Sequence, residues 1–131
     1  MLFSHEHTDD IKAEILKKVF TEISLDKEIV IWSDNKNLIS QLKSKTSFTV
    51  VPSCEGASLV VLEDKQNIDK ECLDKPIFVM NYSLLKEIPQ SFGALFWKKG
   101  RPNIVIIAPR AKERAIGISK KLDEYVEEKI W

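Results

Sequence analysis

Glycine is scarce in this 131-residue chain, and its four glycines, Gly56, Gly93, Gly100 and Gly117, stand singly. A loop that cradles phosphates needs clustered glycines, because only then can the backbone approach a pyrophosphate closely. Walker-type, kinase-type and dinucleotide-binding readings are thereby set aside, and no cofactor is expected. Histidine is scarcer still: His5 and His7 both precede the first helical pattern. A Ser-His or Cys-His pair needs its base on the rigid scaffold, so no catalytic residue is assigned and the chain reads as a non-enzyme. His5-Glu6-His7 with Asp9 and Asp10 offers metal-ligand types, but no further histidine completes a shell, and no metal site is assigned. Long apolar runs are missing as well. The longest, Ile104 to Ala108, falls far short of the roughly 20 residues that span a bilayer, so no direct membrane insertion is expected.

An excess of either charge is also lacking: twenty Lys plus Arg balance twenty Asp plus Glu. A general nucleic-acid coat protein draws its affinity from released counterions and is basic overall, so no nucleic-acid partner is expected. The two cysteines, Cys54 and Cys72, sit in no CxxC or Cys/His spacing. They leave open either one disulfide or two buried free thiols acting as small hydrophobes; the free thiols are the plainer reading. The segment from Met1 to His7 has neither a basic n-region nor a full apolar h-region. The protein is then cytoplasmic, unless an export leader belongs upstream of Met1 and it is periplasmic.

What is present reads as one α/β domain over residues 8–131, preceded by a flexible tail over 1–7. From Thr8 to Ile23, apolar residues recur at three- and four-residue steps among charged ones, the pattern of an amphipathic helix, with Thr8 or Asp9 as its cap. Apolar runs at Glu28–Trp32, Phe48–Val51, Ser58–Glu63 and Pro76–Met80 read as strands. Between them lie a capped helix from Asn37 to Lys43, a weak helix around Ile68 to Leu73, and a short one after Ser83. The alternation predicts three layers around a largely parallel sheet. Phe92–Trp97 and Asn103–Ala108, joined through Gly100, read as an antiparallel hairpin. The spacing predicts a long C-terminal helix from Pro109 to Glu128, with Gly117 its weak point at about 1 kcal/mol against alanine.

The segment of strongest character is Trp97-Lys98-Lys99-Gly100-Arg101, three cations on a tight turn beside an indole. Arg and aromatic residues dominate interface energetics, so Trp97, Lys98, Lys99 and Arg101 are the candidate protein contacts. From Lys98 to Lys121 eight cations face the single acid Glu113, a net charge of +7 hidden by the neutral total. A second reading is a small anionic ligand in the crevice at the strand C-terminal ends, near Ser33, Asn35, Asn81 and Tyr82.

The order of elements, with Lys12-Ala13, Ile29-Val30-Ile31-Trp32-Ser33-Asp34-Asn35 and Leu59-Val60-Val61-Leu62, resembles the YfiR-like family of small bacterial periplasmic regulators. Gly93-Ala94-Leu95-Phe96, Arg101, Asn103-Ile104-Val105-Ile106, Arg110-Ala111 and Ile116 to Leu122 extend the likeness to most of the chain. The resemblance implies a periplasmic domain without enzymatic activity. Such a domain binds and restrains the sensor part of a membrane-bound signalling protein, typically a diguanylate cyclase, often as a homodimer. Ser24-Leu25-Asp26-Lys27 stands where the family has an aromatic-Pro step after its first helix.

Overall fold

A computed structural model describes residues 9–130; the His5-Glu6-His7 motif, Thr8 and the tail over 1–7 lie outside the described residues. The first amphipathic pattern forms helix α1, Asp9–Thr21, with Ala13, Leu16, Val19 and Phe20 buried and Asp9 and Asp10 in its first turn, at the positive end of the helix dipole. Then come β1 (Ile23–Ser24), β2 (Val30–Ser33), α2 (Lys36–Lys45), β3 (Thr49–Val50), β4 (Leu59–Leu62) and β5 (Ile77–Val79). The second half holds α3 (Leu84–Glu87), β6 (Ser91–Lys98), β7 (Arg101–Ile107), α4 (Ala108–Glu113), β8 (Gly117–Ile118) and β9 (Val126–Glu127).

Seven strands make one sheet in the order β3-β2-β4-β5-β6-β7-β9, while β1 and β8 form a separate antiparallel pair. Strands β3, β2, β4, β5 and β6 are mutually parallel, and β7 turns back antiparallel to β6. Period-2 alternation sends the side chains to two cores. Ile31, Leu59, Val61, Phe78, Leu95 and Ile106 meet α1 and α2 on one face. Val60, Leu62, Ile77, Val79, Ala94 and Val105 meet α3 and the irregular crossovers on the other. Both faces of β4 are therefore covered, which is why all four of its residues are apolar and buried. Phe78 joins Phe20 at 5.3 Å and Phe92 at 5.6 Å between ring centroids, locking α1 to the middle of the sheet.

Three expectations are corrected. The long C-terminal helix does not form: α4 ends at Glu113, and a 3-10 helix, Lys120–Tyr125, leads into β9. Ala115 takes a left-handed backbone (φ 58) as the amide of Ile116 donates to the Ala111 carbonyl and that of Ala115 to Lys112. These are the two bonds of a Schellman stop. Gly117 then approaches β1 so closely that a Cβ there would collide with Ser24 Oγ. Pairing with β1 thus wins over a helix that would have had to carry Gly117 in its interior. Secondly, the cysteines are not free thiols: Cys54 and Cys72, 4% and 0% exposed, form a disulfide between the crossovers on either side of β4. Lys75 ties the same loops, its Nζ donating to the carbonyls of Cys54, Glu55 and Ala57 at 2.7–2.8 Å. Thirdly, the weak helix around Ile68 to Leu73 is only a 3-10 turn, Lys70–Cys72, held by that bridge.

Candidate functional site

Sheet order reverses between β2 and β4, so the carboxyl ends of these strands form the crevice where open α/β sheets place ligands. Ser33, 1% exposed, accepts the Asn35 amide at 3.1 Å. Asn35 caps α2 by accepting from the amides of Asn37 and Leu38, and its Nδ2 donates to Asp9 and Glu63, 2.8 Å each. Asp34 accepts from the amides of Glu63 and Asp64 and from Asn67 Nδ2. Lys12 Nζ lies 3.3 Å from Glu63 and 3.6 Å from Asp9. The crevice is filled by its own polar network, and its charge is four carboxylates, Asp9, Asp34, Glu63 and Asp64, to one ammonium.

The other two crevice candidates stand beyond β4, after β5. Asn81 Oδ1 accepts from the amide and hydroxyl of Ser83, both at 2.9 Å, and so shapes the turn into α3. The ring of Tyr82 packs edge-on against Phe96 at 4.9 Å. The structure therefore splits Ser33 and Asn35 from Asn81 and Tyr82, with Lys12 at the join: it lines a shallow hollow with Asn81, Tyr82 and Trp97 while bonding Glu63.

The hairpin candidates come together as expected from their spacing. Pairing of β5 with β6 ends at Val79 and Ala94, whereas β6 pairs with β7 out to Lys98 and Arg101. Leu95–Lys98 and their partners thus project past the parallel sheet as a two-stranded ribbon. Lys99 and Gly100 make its two-residue turn, both with positive φ (53 and 75), the type I′ geometry that matches strand twist. Half-buried Trp97 packs on the α1 face of the sheet and half-buried Phe96 on the opposite one. Lys98, Lys99 and Arg101 are exposed and form no ion pair among the described residues.

The +7 stretch is not one continuous patch. Arg110 points inward, its Nη1 donating to the carbonyls of Leu85 (2.7 Å) and Ser91 (3.0 Å) and so pinning α4 to the start of β6. Burial holds its pKa below the usual value, with Glu113 pulling the other way. Lys121 approaches Glu22 at 3.9 Å. Lys98, Lys99 and Arg101 cluster at the ribbon tip, while the exposed Lys112 and Lys120 stand apart from them along the chain.

Beside the ribbon lies a feature that sequence reasoning missed. A groove of about 800 Å³ runs between α1 and the start of β7, floored by Ile15, Val19, Ile104, Leu122 and Tyr125. A second hollow of about 520 Å³, reaching Trp97 and Lys98, shares Asn103, Ile104, Glu124 and Tyr125 with it. No helical period reveals this, because Tyr125 reaches it only through the 3-10 helix that replaces the expected C-terminal helix. Among the described residues, no group of three or more His, Cys, Asp or Glu side chains is placed to hold a metal ion, and no helix is long and apolar enough to cross a membrane. The chain matches no protein-family model, and comparison with curated proteins finds no match.

Proposed function

We propose that this domain is a non-catalytic regulator that acts through a protein interface centred on the β6–β7 ribbon. Its partner in this reading is the sensor part of a membrane-bound signalling protein such as a diguanylate cyclase, as the YfiR-like resemblance implies. The observation that carries the proposal is the ribbon itself. It sets exposed Lys98, Lys99 and Arg101 beyond the sheet, beside half-buried Trp97 and a groove whose floor is apolar and whose rim is charged. An anchor of aromatic and Arg character next to a groove with an apolar floor suits an interface hot spot. A disulfide persists in oxidising compartments, which supports a periplasmic location. The crevice reading draws less support, since four carboxylates repel a small anion and the polar groups of Ser33 and Asn35 are already engaged.

The test is capture from solubilised membranes by immobilised protein, wild type against Lys98→Glu/Arg101→Glu, with captured proteins identified by mass spectrometry. Wild type should retain a membrane protein bearing a periplasmic sensor domain and the variant should lose it, while the variant's stability changes by no more than about 0.5 kcal/mol, as exposed substitutions usually do. Equal capture by the two proteins refutes the ribbon interface. A flat thermal-shift response across small anions disposes of the crevice alternative, because a bound ligand must raise the melting temperature by mass action.

A further inference from the structure

Among the described residues, the outer edge of the ribbon is left unfinished. Lys98 and Arg101 bracket a two-residue turn and exchange backbone hydrogen bonds, so alternation turns the backbone groups of Pro102, Ile104 and Ile106 away from β6. Ile106 uses this edge to pair with β9, in register with Val126. The β9 ladder begins there, so the N–H and C=O of Ile104 and the C=O of Pro102 lie beyond it. Proline at 102 costs nothing in the β6 ladder, since its nitrogen faces outward. The same proline limits what the edge can take: a visiting strand can use these three groups and no more. Directly under the free edge lies the α1–β7 groove, with Ile104 in its floor.

Charge narrows the visitor further. Lys17 and Lys18 on α1 and Lys98, Lys99 and Arg101 on the ribbon surround this edge, and none makes an ion pair among the described residues. Glu14, Glu22, Glu124 and Glu127 line the same hollows, with Glu22 paired to Lys121. Acids and cations balance along the hollows, and the balance turns positive at the ribbon end, where Lys98, Lys99 and Arg101 stand and an added strand would leave the sheet.

We propose that the free edge of β7 at Ile104 takes up an extended acidic segment of the partner as a short added strand. Alternate side chains of that strand would drop into the groove between Ile15, Val19 and Tyr125, and its carboxylates, on the opposite face, would meet Lys98 and Arg101. This is strand addition: backbone bonds set the register, while pockets and charges select the sequence. The inference rests on the interface reading above and assigns its partner a conformation and a chemistry.

The probe is a short synthetic peptide alternating aspartate with valine or leucine; its control carries lysine in place of each aspartate. Wild-type protein should bind the acidic peptide at least about tenfold tighter than the control, and more weakly at high salt, because like charges across an interface repel and exposed pairs are screened. Ile104→Pro deletes the outward N–H at a position that donates nothing to β6, whereas Ile104→Val keeps it. Binding should fall at least about tenfold in the first and persist in the second. Hydrogen exchange of the Ile104 amide in wild-type protein covers the case in which Ile104→Pro fails to fold; bound peptide must slow that exchange. Unchanged exchange at Ile104, or equal binding of acidic and basic peptides, overturns strand addition even where Lys98→Glu/Arg101→Glu abolishes partner capture. Undiminished capture by that double variant overturns the interface reading itself.

Discussion

Replacing Cys54 and Cys72 by alanine removes the one covalent cross-link in the chain, between residues separated by 18 positions. Alanine suits the test because Cys72 is 0% exposed, and a serine hydroxyl there would add the cost of burying an unpaired polar group. Closing a loop of this length removes chain entropy from the unfolded state equivalent to about 3 kcal/mol. Lys75 continues to tie the same two loops through three carbonyls, so the variant should keep its fold and lose stability. With a urea dependence of about 1.5 kcal/mol/M, the unfolding midpoint should fall by about 2 M. The melting temperature should fall by about 10 °C for a chain of this size. The slope should rise, because the uncross-linked unfolded state exposes more surface. Urea unfolding followed by tryptophan fluorescence, with and without dithiothreitol, reads all of this. Reductant should move wild type to the position of the double variant and leave the variant where it is. Coincident wild-type curves in the two conditions would refute the bridge and restore the reading of two free thiols.

Ala115→Gly should stabilise the protein by about 0.5–1 kcal/mol, because relief of a left-handed alanine exceeds the added unfolded-state entropy; a lowered melting temperature contradicts this. Gly93→Ala should cost about 1–3 kcal/mol, since its Cβ would sit 2.8 Å from the Val105 carbonyl and 3.0 Å from the Phe78 ring in the middle of the sheet. An unchanged chemical denaturation midpoint would count against that packing. Arg110→Met keeps the aliphatic stem but strips the donor from the carbonyls of Leu85 and Ser91, with an expected loss of about 2 kcal/mol. The same substitution at exposed Arg101 should change stability by less than about 0.5 kcal/mol, and calorimetry on the pair separates the inward arginine from the outward one.

Much of the architecture was legible because it depends on local period and turn chemistry. Leu59-Val60-Val61-Leu62 has no polar face, so it had to lie between two cores. Asn35 had the side chain of a cap and is one. Gly100 allowed the tight turn that brings Lys98 opposite Arg101. The resemblance quoted Arg110-Ala111, but nothing in it foretold that Arg110 turns inward while Arg101 stays exposed.

Sequence alone therefore determined the alternation of the main elements from α1 to the β6–β7 hairpin, the two-sided burial of the sheet and the basic aromatic turn, since each is a property of neighbouring residues. Tertiary structure decided what depends on meetings across the chain. The C-terminal segment gave up its helix because Ala115 closes a Schellman stop and the residues after it pair with β1. The cysteines joined because the crossovers beside β4 lie together. The groove under Ile104 exists because α1 and the Lys120–Tyr125 turn, far apart along the chain, flank one unfinished edge of β7. Periodicity records which side of an element is buried, but contains no term for what stands opposite it.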